Sequence, residues 1–125
     1  LQKGDYGLCL SIALNKQHRY EESKNLMKIY TLAFPNDDQG WYRLASTYDL
    51  MGQLEKCIEP YLHSLSLNVD NDHAWFNLGG AFFNMGNYPE ARRVWKEAVS
   101  RFPDHELTAK IRADLPFILT DAPLQ

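Results

Sequence analysis

The four histidines are the side chains best suited to metal or acid–base chemistry, and their spacing predicts neither. His18, His63, His73 and His105 are scattered through a chain of 125 residues, whereas zinc-binding histidines recur at short, fixed spacings. The serines near His63 form no recognisable nucleophile elbow or triad. We therefore expect no catalytic residue and no metal ligand, and the sequence predicts that the protein is not an enzyme.

The acidic segment at 70–72 is faintly similar to a calcium-binding loop. However, the third ligand position is Ala74, and the glycine that follows it in such loops is missing. Asp37 and Asp104 recur at equivalent places in the chain, which favours carboxylates that cap the starts of helices. There is no glycine-rich phosphate loop, so no cofactor is expected.

The two cysteines, Cys9 and Cys57, form no CxxC motif and no disulfide framework. A free cysteine behaves as a small apolar side chain and is usually buried. We therefore expect two small, buried thiols in a reduced protein.

Composition and charge exclude some classes of partner. The formal net charge is −3 at pH 7, whereas nucleic-acid binding requires a basic surface, so no nucleic acid is expected. No apolar run is long enough for membrane insertion. The chain opens LQKGDYG, with neither a secretory signal nor an initiator Met, and we expect a piece of a longer protein. A cytoplasmic location is expected, although a targeting signal could have been removed.

An internal repeat organises the elements of the chain. Trp41 and Trp75 lie 34 positions apart, as do several of their neighbours. The matching residues are Trp41, Leu44, Ala45, Tyr48 and Gly52 in one segment and Trp75, Leu78, Gly79, Phe82 and Gly86 in the other. A fixed period of about 20–50 residues predicts a solenoid, in which each unit buries its apolar face against a neighbour.

Three frames follow this period, beginning at Gly4, Asp38 and Asp72. The third frame places large and small residues in a regular order: Trp75, Leu78, Gly79, Phe82, Ala91, Trp95, Ala98 and Pro103. This pattern resembles the tetratricopeptide repeat family, with W-x2-L-G-x2-Y, then A-x3-F and a closing Pro. The resemblance covers about residues 4–103 and is least regular in the first frame.

The resemblance implies an all-α solenoid of three helix-turn-helix repeats in a right-handed superhelix. We expect one domain with repeats over about 4–37, 38–71 and 72–105. The predicted helices span about 5–17, 20–34, 38–51, 54–67, 72–85 and 88–101. A seventh helix over about 106–115 is expected to cap the stack, and 116–125 is expected to be a loose tail.

Glycine and proline mark special positions in these helices. Gly52 and Gly86 fall where the first helix of a repeat ends, a position that favours positive φ. His18 holds the same position in the first repeat and should fit it less well. Pro60 falls inside the fourth predicted helix, where proline removes a hydrogen bond and bends the axis, so a kink is expected there.

Members of this family usually bind ligands in a groove lined by the first helix of each repeat, and the resemblance implies the same here. The residues carried over to this predicted groove are Tyr42, Arg43, Ser46, Asp49, Phe76, Asn77, Gly80 and Phe83. The core is expected to take its aromatics from Trp41, Tyr48, Trp75 and Phe82.

The aromatics of the predicted groove, Tyr42, Phe76 and Phe83, are therefore expected to be exposed, as on recognition surfaces. The alternative is that they pack between successive repeats. Arg43 and Asn77 provide polar fixing points for a peptide, or are simply solvated. The small residues Ser46 and Gly80 leave room for a backbone to approach.

Chaperone-binding members of the family grip an acidic C-terminal peptide with a two-carboxylate clamp. The clamp positions here hold Leu8, Ile12, Arg43, His73 and Asn77. No lysine is present among them, so the clamp is rejected. The apolar groove fits a hydrophobic or amphipathic segment better, and in this it is similar to three-repeat chaperones of secreted translocator proteins.

The sequence thus predicts a noncatalytic protein-interaction module, a scaffold, adaptor or chaperone-like protein that holds a peptide segment of a partner. The alternative is a structural segment that self-associates through an exposed repeat end, as a homo-oligomer. Gly7 and Leu14 stand in the first repeat where large aromatics are expected, so its outer face could be covered by another repeat or another copy.

Overall fold

The computed structural model describes residues 5–121 and 123–124. These residues form seven α-helices and a final 3₁₀ helix, with no strand in the described part. The helices are α1 (Asp5–Lys16), α2 (Tyr20–Ala33), α3 (Asp38–Leu50), α4 (Leu54–Leu67), α5 (Asp72–Asn84), α6 (Tyr88–Arg101) and α7 (Glu106–Asp114), followed by the 3₁₀ helix Pro116–Leu119. Every predicted helix is present, and its ends agree with the prediction to within one residue.

The chain divides into two compact units where the sequence analysis expects a single domain. The first unit is Leu1–Asn71 and the second is Asp72–Gln125. The dividing point is the predicted boundary between the second and third repeats. The predicted start of the first repeat at Gly4 lies outside the described residues, as do positions 122 and 125.

The turns inside the repeats have the predicted backbone conformation. Gly52 and Gly86 have φ of 75° and 80°, and His18 has φ of 58°. A left-handed conformation suits glycine, whereas in other residues it brings Cβ close to the following carbonyl oxygen. The expected strain at His18 is therefore confirmed.

Side chains cap the starts of three described helices, α3, α6 and α7. Asp37 accepts a hydrogen bond from the Gln39 backbone N–H and caps α3, as predicted. At α7 the cap is His105, whose Nδ1 accepts from the Leu107 N–H at 3.0 Å. The expectation of a capping carboxylate at Asp104 is wrong, because the capping position directly before Glu106 is held by His105.

Helix α4 continues through Pro60, which is buried inside it, and ends only at Leu67. Since a proline has no N–H, one hydrogen bond of the helix is lost at this point. The helix is therefore not broken at Pro60, and the kink there stays a prediction.

The core of the first unit combines an apolar cluster with buried hydroxyl groups. Met27, Tyr30 and Leu44 form the cluster. Next to it, the Ser23 hydroxyl lies 2.7 Å from the Ser11 hydroxyl and 3.2 Å from the Thr47 hydroxyl. Small polar residues let α1, α2 and α3 approach one another, and their hydroxyls satisfy each other there.

The core of the second unit is built around Trp95. Its buried members are Phe76, Trp95, Ala98, Val99, Ile111 and Ile118. The indole Nε1 of Trp95 donates to the Phe76 carbonyl at 3.0 Å, which ties α6 to α5. This cluster includes residues from α7 and from the 3₁₀ helix, so the segment after the third repeat belongs to the core.

The expected loose tail is wrong for residues 116–121. Ile118 is completely buried, and Arg92 Nε donates to the Ile118 carbonyl at 3.1 Å. Lys96 Nζ pairs with Asp121 at 2.7 Å. Ile118 is an apolar anchor in this segment, and its burial outweighs the entropy cost of ordering a short stretch of chain.

None of the described helices combines the length and the apolar character that a bilayer crossing requires.

Candidate functional site

The predicted groove residues lie on two helices that belong to different units. Helix α3 of the first unit carries Tyr42, Arg43, Ser46 and Asp49. Helix α5 of the second unit carries Phe76, Asn77, Gly80 and Phe83. We therefore describe the two halves separately.

On α3, the expected exposure of Tyr42 is wrong. Its side chain is buried, with 9% of its surface exposed, and its ring lies 6.1 Å from the ring of Tyr61 on α4. The guanidinium of Arg43 stands over the Tyr42 ring at 5.1 Å from its centre. Tyr42 therefore packs within its own repeat, and Arg43 covers its outer face by a cation–π contact.

Asp49 is held in the same repeat by a hydrogen bond. The Tyr61 hydroxyl donates to its carboxylate at 3.0 Å. Burial raises the pKa of the Asp49 carboxyl, and the bond from Tyr61 partly opposes this by lowering it. Because it shares this bond with a core tyrosine, Asp49 has a structural role in addition to its predicted place in the groove, while Ser46 is half-buried beside it.

The cysteines differ from each other. Cys57 is buried as expected, but Cys9 is exposed, so that expectation is wrong. Burial, and then the negative charge of Asp49, raise the pKa of the Cys57 thiol to about 12. Because only a thiolate is a strong nucleophile, Cys57 cannot serve as one near neutral pH.

On α5, Phe76 is buried, with 4% of its surface exposed, which contradicts its expected exposure. Its ring lies 4.6 Å from that of His105 and 6.3 Å from that of Phe102. Phe83 is half-buried, with its ring 5.1 Å from Tyr88 and 5.5 Å from Trp95. These partners all follow in the same unit, so the aromatics of α5 pack within the repeat and against α7.

The division between core and surface aromatics thus differs from the one predicted. Tyr42 and Phe76 are buried, whereas the residues expected in the core are only partly buried: Trp41, Tyr48, Trp75 and Phe82. Trp41 stacks on His63 at 4.0 Å, and the Arg101 guanidinium covers Trp75 at 5.3 Å. Trp41 and Trp75 therefore lie at the border of the core.

The two glycines of α5 have different surroundings. A Cβ added to Gly79 would lie 2.3 Å from the Trp95 ring, whereas at Gly80 the nearest atom, on the same ring, is 3.9 Å away. Gly79 therefore allows close packing of the two helices, as the sequence pattern predicts. The space at Gly80 is compatible with its predicted place in a groove.

An apolar cavity of about 280 Å³ lies between α5, α6 and α7. Its lining residues are Phe76, Asn77, Trp95, Leu107, Lys110, Ile111, Asp114 and Leu115. Two of them, Phe76 and Asn77, belong to the predicted groove, while Arg43, Ser46 and Asp49 lie in the other unit.

The contribution of α7 to this cavity was missed because that helix was interpreted only as a cap. The repeat positions that face the groove, applied to α7, could have predicted this contribution. Counted from Glu106 as a fourth frame, the second, fifth, sixth and ninth positions are Leu107, Lys110, Ile111 and Asp114. All four line the cavity, so α7 takes the place of the first helix of a further repeat.

The structure also brings together three side chains that the sequence analysis treated as scattered. Metal-ligand atoms of Asp72, His73 and His105 lie within 4.8 Å of one another. His105 Nε2 is 3.0 Å from the Asp72 carboxylate, while its Nδ1 accepts the N–H of Leu107. A metal ion on Nε2 would require a proton on Nδ1. A protonated Nδ1 could no longer accept the hydrogen bond from the Leu107 N–H. The hydrogen bonds therefore favour a structural role, in which His105 links the start of α5 to the start of α7.

Comparison with known proteins agrees with the repeat geometry. Two family models, both described as tetratricopeptide repeat, match residues 38–71 and 73–105. The chain belongs to the tetratricopeptide repeat family. The matched segments are the second and third predicted repeats, and the tetratricopeptide repeat makes this chain a protein-interaction module.

Among curated proteins, the chain is similar to Protein O-mannosyl-transferase TMTC1 of Homo sapiens, with 36% identity over 62 residues. That match covers 50% of this chain, and the chain spans only 7% of the length of that relative.

Two solved structures of tetratricopeptide-like chaperones share the fold. One is the type III secretion chaperone SycD of Yersinia enterocolitica in complex with a peptide of the translocator YopD, at 14% identity and a TM-score of 0.80, covering 92% of this chain and 88% of that one. The other is PcrH in complex with the chaperone binding region of PopD, at 12% identity and a TM-score of 0.82, covering 91% and 89%.

Proposed function

We propose that this tetratricopeptide chain is a noncatalytic module that binds a hydrophobic or amphipathic extended segment of a partner protein. The binding surface is the part of the predicted groove on α5, extended by α7 of the same unit. The observation that carries the proposal is the apolar cavity next to Asn77, which the groove positions of α5 and α7 line together. The two chaperones of similar fold were both solved with peptides or binding regions of translocators, which supports the same kind of ligand here.

The chemistry of the surface agrees with a peptide ligand. Asn77 has both donor and acceptor groups, as a peptide backbone requires, and Gly80 leaves the adjacent surface open. Asp49 and Tyr61 are bonded to each other, and Cys57 is held as a neutral thiol. A binding role requires no change in the protonation of these side chains. Acid–base or nucleophilic catalysis, in contrast, requires groups whose pKa lies near neutral pH.

The test is selection of peptides from a random library displayed on phage, followed by a blocking variant. Gly80→Tyr introduces a large side chain in the predicted groove without a clash at Cβ, because the nearest atom to a Cβ there is 3.9 Å away. We expect it to weaken binding of the selected peptides at least about tenfold. Ser100→Tyr, on an exposed position of α6, is the matched control and should leave binding unchanged. Equal binding to both variants, or no selected peptide, would reject the groove.

Self-association is a second candidate, favoured by a different observation. Ile29 and Leu32 on α2 are 58% and 84% exposed. The equivalent residues of the later repeats are polar: His63 and Ser66, and then Glu97 and Ser100. Neighbouring apolar residues on one helix face are unusual on a surface without a partner.

Sedimentation equilibrium distinguishes the two candidates. Self-association predicts a mass that rises with concentration and returns to that of a monomer in Ile29→Lys/Leu32→Glu. A monomer at all concentrations would leave the groove as the functional surface.

A further inference from the structure

The cavity between α5, α6 and α7 has a rigid floor. The Trp95 indole is held by its hydrogen bond to the Phe76 carbonyl at 3.0 Å and by its close approach to Gly79. Phe76 is in turn packed between Phe102 and His105. Neither ring can move without disturbing the core, so the floor exists before any ligand arrives.

The outer wall, formed by α7, is also fixed. The Thr108 hydroxyl is buried and donates to the Phe102 carbonyl at 2.7 Å. His105 caps the helix and bonds to Asp72 at the start of α5, and Ile111 is part of the core. The position of α7 relative to α5 is therefore set by hydrogen bonds and burial, and the distance between the two walls is set with it.

The size of the cavity selects what can fill it. Small-molecule and cofactor sites are about 300–1,000 Å³, and an apolar cavity of about 150 Å³ already binds benzene. At about 280 Å³, this cavity matches one large side chain together with the backbone that carries it.

The charges at the rim favour an uncharged occupant. Lys110 and Asp114 lie on one face of α7, and their charged groups are 3.2 Å apart. Because they neutralise each other, the rim has no net charge that would select an ionic side chain. The lining below them is aromatic and aliphatic: Phe76, Trp95, Leu107, Ile111 and Leu115.

We propose that this cavity is the anchor pocket of the groove, that it takes one large uncharged side chain, of the size of leucine or phenylalanine, from an extended partner segment, and that Leu107, which lines it, limits the space available. This inference rests on the proposed function. Leu107 is half-buried at the start of α7, so its side chain can be changed with less effect on the core than that of Ile111.

The first experiment uses N-acetyl amino acid methylamides as probes, with leucine, phenylalanine, alanine or lysine as the residue. They are titrated into the ¹⁵N-labelled chain, and the indole signal of Trp95 and the amide signals of α7 are followed by NMR. We expect the leucine probe to bind about tenfold more tightly than the alanine probe, because it buries more apolar surface. Equal affinities, or shifts confined to other parts of the chain, would overturn the pocket.

The second experiment changes the size of the pocket. Leu107→Ala enlarges it and should raise the affinity for the phenylalanine probe relative to the leucine probe, whereas Leu107→Phe should weaken both. Leu119→Ala is the matched control, since this half-buried leucine of the same unit does not line the cavity. A loss of stability alone would not change the ratio of the two affinities. If Leu107→Ala fails to fold, Leu107→Val tests the same change, and an unchanged ratio contradicts the proposal.

The same variants separate this inference from the proposed function. If a library peptide binds the wild type and its affinity does not change with the size of residue 107, the anchor pocket is rejected, whereas the proposed groove is not. If the leucine probe binds but no peptide does, the proposed function fails, and the cavity is then not an anchor for a partner segment.

Discussion

Gly79 on α5 and Trp95 on α6 approach each other closely: a Cβ on Gly79 would lie 2.3 Å from the indole ring. Such a distance is far inside van der Waals contact, and the indole is held in place by its bond to Phe76. The packing of α5 on α6 therefore depends on the absence of a side chain at position 79.

Replacing Gly79 should consequently destabilise the protein. We expect Gly79→Ala to cost about 1–3 kcal/mol in the free energy of unfolding, because the Trp95 ring must shift in a packed core. Gly80→Ala is the control: its Cβ has room, so alanine should stabilise the helix by about 0.5–1 kcal/mol. Urea unfolding followed by circular dichroism measures the free energy of unfolding of both variants. A change of the same sign in the two variants would contradict this packing.

The left-handed backbone at His18 and Gly52 predicts opposite effects of two substitutions on stability. His18→Gly removes the backbone strain at φ 58° and should raise the free energy of unfolding by about 0.5–1 kcal/mol. Gly52→Ala, at φ 75° with no atom near the new Cβ, should lower it by about 1 kcal/mol for the same reason. Thermal unfolding of both variants measures these changes. A change of the opposite sign in either variant would mean that backbone conformation does not control stability at that position.

The C-terminal segment should contribute to stability through Ile118. Because this side chain is completely buried, Ile118→Ala should cost about 2–5 kcal/mol. The adjacent Phe117 is 48% exposed, and Phe117→Ala should cost less than about 1 kcal/mol. Equal effects in chemical denaturation would mean that the segment does not pack on α6 as described.

The two thiols should react at very different rates. Exposed Cys9 should be modified at once by a disulfide reagent in the native protein, whereas Cys57, buried and with its pKa raised to about 12, should react only as fast as the protein unfolds. Cys9→Ser leaves Cys57 as the reporter. Rapid labelling of that variant without denaturant would contradict the buried site.

The raised pKa of Cys57 also predicts a pH dependence of stability. Between its ordinary value of 9.0 and about 12, the folded state keeps a proton that the unfolded state loses. The free energy of unfolding must therefore fall as the pH rises through this range. Cys57→Ala should flatten part of the fall, and the buried Tyr61, whose pKa is also raised, contributes to the fall in the same direction. A profile unchanged by Cys57→Ala would rule out this contribution.

Sequence alone determined the positions of the helices and their turns. The period of 34 residues, the glycines at 52 and 86, and the glycine at 79 opposite Trp95 all act through neighbours within one repeat. Such local constraints are visible in the order of large and small residues, which is why the helix ends were predicted to within one residue.

Only the tertiary structure decided which faces are buried. Tyr42 is covered by Tyr61 and Arg43, and Phe76 by Phe102 and His105, although both aromatics were expected to be exposed. Likewise, α7 lines a cavity and Ile118 is buried, where the sequence predicted a simple cap and a loose tail. Burial depends on the side chains that reach a residue from other helices, and one position within a repeat does not reveal which of them arrive.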